Sequence, residues 1–191
     1  MQPGLEIRWC KDIYSFRKII PTLQAHPEAL ITTANDDIFY PPHWLRMLYE
    51  AYQREPNFMH CHRAHLMQYD KTGVALRYRQ WQLGASGHVQ PSNDLLPTSG
   101  GGVLYAPGHL HPEVLNELAF MSLCPKADDV WLKEMSLMAN VARKKVTSDT
   151  FPIIGIRIPN NRTLASENFD RSGNDLHIRA VARRYGVFHQ Q

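Results

Sequence analysis

The chain has 191 residues, 43% of them hydrophobic and 20% charged, enough apolar material for one ordinary globular core. The net charge is +3 and its 21 Lys and Arg are scattered; the short clusters Arg143-Lys144-Lys145 and Arg183-Arg184 read as solvated helix faces, so nucleic-acid binding is not indicated, although a phosphorylated substrate or an anionic membrane surface would be tolerated. Three cysteines, Cys10, Cys61 and Cys124, have no metal or redox spacing and fit a reducing cytoplasm, the start MQPGLEIRW does not read as a secretory signal, and no apolar run approaches the roughly 20 residues of a membrane span.

In chain order, Leu5–Trp9 alternates apolar and polar and predicts a strand. Ile13–Gln24 has a helical pattern that Pro21 would kink or break. Leu30–Ala34 predicts a central strand that runs into Asn35-Asp36-Asp37. Pro42–Arg54 predicts a helix with prolines in its first turn and an apolar face of Trp44, Leu45, Leu48, Tyr49 and Tyr52. Phe58–Arg63 predicts a strand. Gln68–Pro97 reads as a binding loop with one short hairpin. A strand over Gly102–Ala106, helices over Pro112–Met121 and Asp128–Val141, and a strand over Phe151–Ile156 follow. The last element is a helix over Asn174–Tyr185, closed by Gly186. Strands alternating with helices indicate an α/β sandwich, and no linker divides residues 1–191.

Four constellations could carry chemistry. Asn35-Asp36-Asp37 ends a buried strand, where ligands bind in open α/β sheets. Adjacent carboxylates there ask for a cation, although Asn and Asp are also common in plain turns. Asp128-Asp129 opens a helix: one carboxylate suits the helix N-terminus and the other would be free as a general base, with capping of the helix the simpler reading. Gly100-Gly101-Gly102 exposes backbone N–H groups and admits a close approach, or is a flexible loop. His60-Cys61-His62-Arg63-Ala64-His65 suggests zinc at first sight but lacks a second ligand pair. Arg63 and His65 beside a cleft, on a phosphate or a sugar hydroxyl, fit better. Tyr78, Trp81 and Trp131 would stack on sugar faces or fill the core.

The order of these segments resembles that of bacterial GT-A-fold glycosyltransferases of the broad family-2-like group, which build cell-surface polysaccharide. It comprises an acidic triplet and Tyr-Pro-x-x-Trp-Leu, a His/Arg-bearing strand, Gly-Gly-Gly-x-Leu-Tyr, and Cys-Pro-x-Ala-Asp-Asp-x-Trp. The resemblance implies a Rossmann-like three-layer sandwich with a mixed central sheet and a nucleotide-sugar donor. Mn²⁺ or Mg²⁺ would sit on Asp37 with Asp36, and Asn35, Lys18 and Arg63 would face the donor phosphates. Asp129 would act as base with Asp128 as helix cap, and Gly100, Gly101, Gly102 and Trp131 would lie on the acceptor side. A glycan or other hydroxyl acceptor, an inverting displacement, and a location in the cytoplasm or at the inner membrane surface follow from the same likeness. The family pattern has an aspartate where this chain has Asn35. It also has a strand and helix before the segment at Gly4-Leu5-Glu6-Ile7. The expectations are therefore a nucleotide-binding half lacking its first elements, an exposed sheet edge and a homodimer that covers it. The alternative is a glycan-binding or assembly protein that keeps the fold without donor binding.

Overall fold

The computed structural model describes residues 4–149, 154–156 and 173–186. Its strands are β1 Ile31–Thr32, β2 Ile38–Phe39, β3 Met59–Cys61, β4 Ala64–Leu66, β5 Leu95–Pro97, β6 Val103–Tyr105, β7 Arg143–Lys145 and β8 Ile154–Gly155. The α-helices are α1 Ile20–Ala25, α2 Trp44–Arg54, α3 Glu117–Leu123, α4 Asp128–Met138 and α5 Gly173–Tyr185. The fold is mixed α/β.

The main sheet runs β1-β6-β3-β7. β6 is antiparallel to both β1 and β3, and β7 is parallel to β3. Strands β1, β3 and β7 therefore point one way and β6 runs against them. Side chains alternate across the pleat. Ile31, Met59, Cys61, Val103 and Tyr105 join the main core with Phe16, Phe120, Trp131 and Met135. Leu104 and His60 pair on the other face, which α2 covers through its contacts with β3 and β6. β4–β5 and β2–β8 form separate antiparallel ribbons.

Several boundaries differ from the sequence reading. Leu5–Trp9 is not a strand, because an alternating pattern makes one only where a neighbour completes its ladder; Leu5, Ile7 and Trp9 are 60%, 70% and 98% exposed. The helix expected over Ile13–Gln24 is a 3-10 turn, Tyr14–Lys18, followed by α1. Pro21 lies in the first turn of α1, where a missing N–H costs nothing, and so starts the helix instead of kinking it. In α2 the buried stripe is Leu48 and Ala51, while Leu45 and Tyr49 are 53% and 45% exposed. The helix over Pro112–Met121 is a 3-10 turn, Pro112–Leu115, then α3, which Asn116 caps by accepting the Ala119 N–H at 3.1 Å.

Within Gln68–Pro97 a tight hairpin brings Tyr69 opposite Ala75, and Asp70 Oδ1 accepts the Thr72 and Val74 N–H groups. Gly186 closes α5 with φ 74° and its N–H on the Ala182 carbonyl, as a left-handed cap requires. Residues 151–153 of the expected strand over Phe151–Ile156 lie outside the described residues. No helix among the described residues is long and apolar enough to cross a membrane.

Candidate functional site

The carboxyl ends of β1 and β3 and the amino end of β6 meet at one edge of the main sheet, because β6 runs against its neighbours. From β1 come Thr33 and Asn35, from β3 Arg63, and the Ser99–Gly102 turn leads into β6. The amino end of α4 adds Asp128 and Asp129, and the 3-10 turn before α1 adds Lys18. Edges of this kind are where α/β proteins bind ligands.

Ser99 is the hub. Its N–H donates to Asp129 Oδ1 at 2.9 Å and its hydroxyl donates to Asp128 Oδ2 at 3.2 Å. Lys18 Nζ donates to Ser99 Oγ at 2.8 Å and to Asn35 Oδ1 at 3.3 Å, and lies 3.3 Å from Asp128 Oδ2. Burial opposes the lysine's charge, but Asp128 and Asp129 outweigh it and hold its pKa above the ordinary value. Asp129 is half-buried, and burial, reinforced by Asp128, pushes its carboxyl up to about 6. That leaves a carboxyl poised to take a proton near neutral pH. The Asn35 backbone N–H donates to the Tyr40 hydroxyl at 2.8 Å, which donates to the Gly100 carbonyl at 2.9 Å. Trp44 Nε1 donates to the Gly101 carbonyl at 2.8 Å, and its ring lies 4.4 Å from that of Tyr40.

The expected residues divide accordingly. Asn35, Lys18, Asp128, Asp129 and Gly100 come together. Asp128 is not the helix cap: Ala127 holds that position and Asp128, 5% exposed, spends its carboxylate on Lys18 and Ser99. Lys18 therefore faces the carboxylate pair and already has three polar neighbours. Asp36 is exposed. Asp37 Oδ1 is buried with no hydrogen-bond partner among the described residues, an orphaned acceptor of the kind a cation satisfies. No cluster of three or more His, Cys, Asp or Glu suited to a metal occurs among the described residues.

Gly101 and Gly102 serve packing. A Cβ on Gly101 would meet Arg63 Cβ at 2.7 Å, and one on Gly102 would meet the Trp44 indole at 2.4 Å. Trp131 is fully buried, edge-on to Phe120 and Tyr185, with Nε1 on the Val114 carbonyl, so it cannot reach an acceptor. Tyr78 and Trp81 are core residues as well. The histidines of the Cys61 region are held by backbone: His60 Nε2 on the Glu55 carbonyl, His62 Nε2 on the Trp44 carbonyl, and His65 Nδ1 accepting the Gly84 N–H. Burial pushes the Cys61 thiol up to about 12, away from a metal-binding thiolate.

Sequence reasoning missed Ser99, Tyr40 and Trp44. The available signal was a hydroxyl residue next to the triple glycine and the aromatic pair flanking Pro41-Pro42. A pocket of about 430 Å³ between the Gly73–Arg77 turn and α5, lined by Trp81, Asp175 and Arg179, contains none of these groups. No protein family, curated protein or solved structure matches the chain.

Proposed function

We propose that the protein is a glycosyltransferase of GT-A-like fold that moves a sugar from a nucleotide-sugar donor to a hydroxyl acceptor by single inverting displacement. The observation that carries this reading is the joining of the strand-end residue Asn35 to the Asp128-Asp129 pair through Lys18 and Ser99 at one sheet edge. Asp129, held up to about 6 by burial and Asp128, removes the proton of the acceptor hydroxyl. The hydroxyl oxygen forms its bond to the anomeric carbon as the bond from that carbon to the diphosphate oxygen breaks, and the nucleoside diphosphate leaves with the electron pair. Lys18 and Asp128 fix the orientation of Ser99, whose N–H holds Asp129. Arg63, whose guanidinium makes no hydrogen bond among the described residues, faces the leaving phosphates. Asp37, with its orphaned oxygen, and Asp36 fit Mn²⁺ or Mg²⁺, which when bound supplies positive charge against the leaving diphosphate.

The test is release of nucleoside diphosphate from a panel of nucleotide sugars with Mn²⁺. Loss of release in both Asp37→Ala and Asp129→Asn supports the reading, and activity unchanged in both variants overturns it. A second reading, a glycan-binding protein without donor binding, is favoured by Asn35 where an aspartate would be expected. Calorimetry with UDP and GDP in Mn²⁺ separates the two, since no heat with either nucleotide selects the second.

A further inference from the structure

Strand β1 is the outer strand of its sheet. The Thr33 N–H donates to the Val103 carbonyl at 3.2 Å, so Thr33 and Val103 form a hydrogen-bonded pair. In an antiparallel ladder the preceding residue turns its backbone the other way. The N–H and C=O of Thr32 therefore point out of the sheet, with no partner strand among the described residues. Beside this edge lies a groove of about 580 Å³ lined by Leu30, Thr32, Pro42, Leu45, Arg46 and Tyr49. Leu30, Leu45 and Tyr49 are 39%, 53% and 45% exposed. A strand laid along β1 would pair with its free backbone and put alternate side chains into that groove.

The same chain carries a segment of the matching form. Leu5–Trp9 belongs to no helix, turn or strand, and Arg8 Nε donates to Glu6 Oε1 at 2.7 Å, which sets both charges on one side. Laid out as a strand, Leu5, Ile7 and Trp9 would share the other face; all stand in solvent, with Trp9 almost wholly exposed. Three large apolar side chains on one exposed ribbon mark an interaction surface. The ribbon, so placed, keeps Glu6 and Arg8 on its solvent side. Its base is anchored away from the groove: Lys11 bonds Glu117 of α3, and Phe16 stacks on Phe120 of α3 at 4.1 Å, on the core side of the sheet opposite α2.

We propose that Leu5–Trp9 of a second copy of this chain adds as a strand to the outer edge of β1, with apolar side chains in the α2 groove, and that the exchange is reciprocal, giving a two-fold dimer. Such a contact is self-complementary, since each copy supplies one ribbon and one edge.

The test is the mass of the full chain in solution, by light scattering on a sizing column from micromolar to submillimolar concentration. The expected mass is twice the 22.0 kDa of the monomer. Thr32→Pro removes the outward N–H at an edge position that tolerates proline, and Ile7→Asp puts a charge into the ribbon. Each is expected to weaken the dimer at least about tenfold, a change of about 1.4 kcal/mol, with the circular dichroism unchanged. Ile7 is exposed, so its substitution leaves the core intact even if Thr32→Pro disturbs the sheet. A wild-type monomer at every concentration overturns the proposal, as does a dimer that Ile7→Asp leaves unchanged.

Discussion

Asp129 stands beside Asp128 where water only partly reaches it, and burial followed by the neighbouring carboxylate lifts its pKa from 3.8 to about 6. Between those two values the folded chain keeps a proton that the unfolded chain has released. Stability therefore falls as pH rises across this window and stays lower above it. Asp129→Asn keeps an acceptor for the Ser99 N–H and removes the charge. It is expected to stabilise the fold by about 1–2 kcal/mol at pH 7.5, less than the full linkage value because solvent screens the group, and to abolish the proposed transfer. The gain fades as pH falls toward 3.8 and is gone by about pH 3, where both states are protonated. Urea unfolding at the two pH values checks this, and equal stability at pH 7.5 would show that the fold does not disfavour the charge. The adjacent carboxylates were legible in the sequence because proximity along the chain is proximity in space. Ser99 was not, and Lys18, expected on donor phosphates, meets Asp128 instead, because that meeting depends on where the β6 turn and the first 3-10 turn come to rest. Trp131, left open between sugar stacking and core and placed on the acceptor side only by the resemblance, fills the core: an aromatic beside an acidic pair on a helix faces the core or the cleft according to a rotation the sequence does not state.

α2 and the turn into β6 are locked together by a contact that only glycine permits. Gly102 has φ 102°, and a Cβ there would lie within the Trp44 ring. Gly108 has φ 81° but open space around it. Gly102→Ala is expected to cost about 3 kcal/mol or more and Gly108→Ala about 1 kcal/mol, the difference being the collision with Trp44. Equal losses in urea unfolding would mean that the indole moves aside freely. Three main-sheet strands lie within segments that the sequence predicts as strands, Leu30–Ala34, Phe58–Arg63 and Gly102–Ala106, whereas β7 does not, because a strand of three residues is too short to show a period. Its basic run reads as a solvated helix face, yet Arg143 and Lys145 are buried. Arg143 donates to the carbonyls of Asn93, Leu95 and Val141, and Lys145 to those of Gly84 and Ala85, tying the long connection before β5 to the sheet. Arg143→Met removes the guanidinium donors to the Leu95 and Val141 carbonyls and one of the two cations, with Lys133, that face Asp94 and Glu134. It is expected to cost about 3–5 kcal/mol, read as a lower urea midpoint. A midpoint unchanged from wild type would mean that these bonds are replaced by water without loss.

At the scale of the whole molecule, five histidines packed into the fold resist protonation. His60, His62, His65, His109 and His177 all have pKa values lowered by burial first, His65 to about 4. A buried ring that resists protonation leaves the unfolded state as the better proton acceptor below pH 6.5. Their contribution to stability is therefore complete above 6.5 and lost as pH falls toward the folded values. For His65 the full loss is about 3 kcal/mol, a large part of the roughly 5–15 kcal/mol that holds a domain of this kind. Asp129 acts in the opposite sense, since protonation relieves it between pH 6 and 3.8, but it is one group against five. The net expectation is a fold that weakens steeply between pH 6.5 and 4.5, measured as a falling urea midpoint. His65→Asn keeps an acceptor for the Gly84 N–H and removes the titrating ring. It should reduce the slope in this window by up to about 1.4 kcal/mol per pH unit, one proton's share. An unchanged slope in this variant would show that the His65 ring is protonated in the folded state as readily as in the unfolded one, and that the acid sensitivity arises elsewhere.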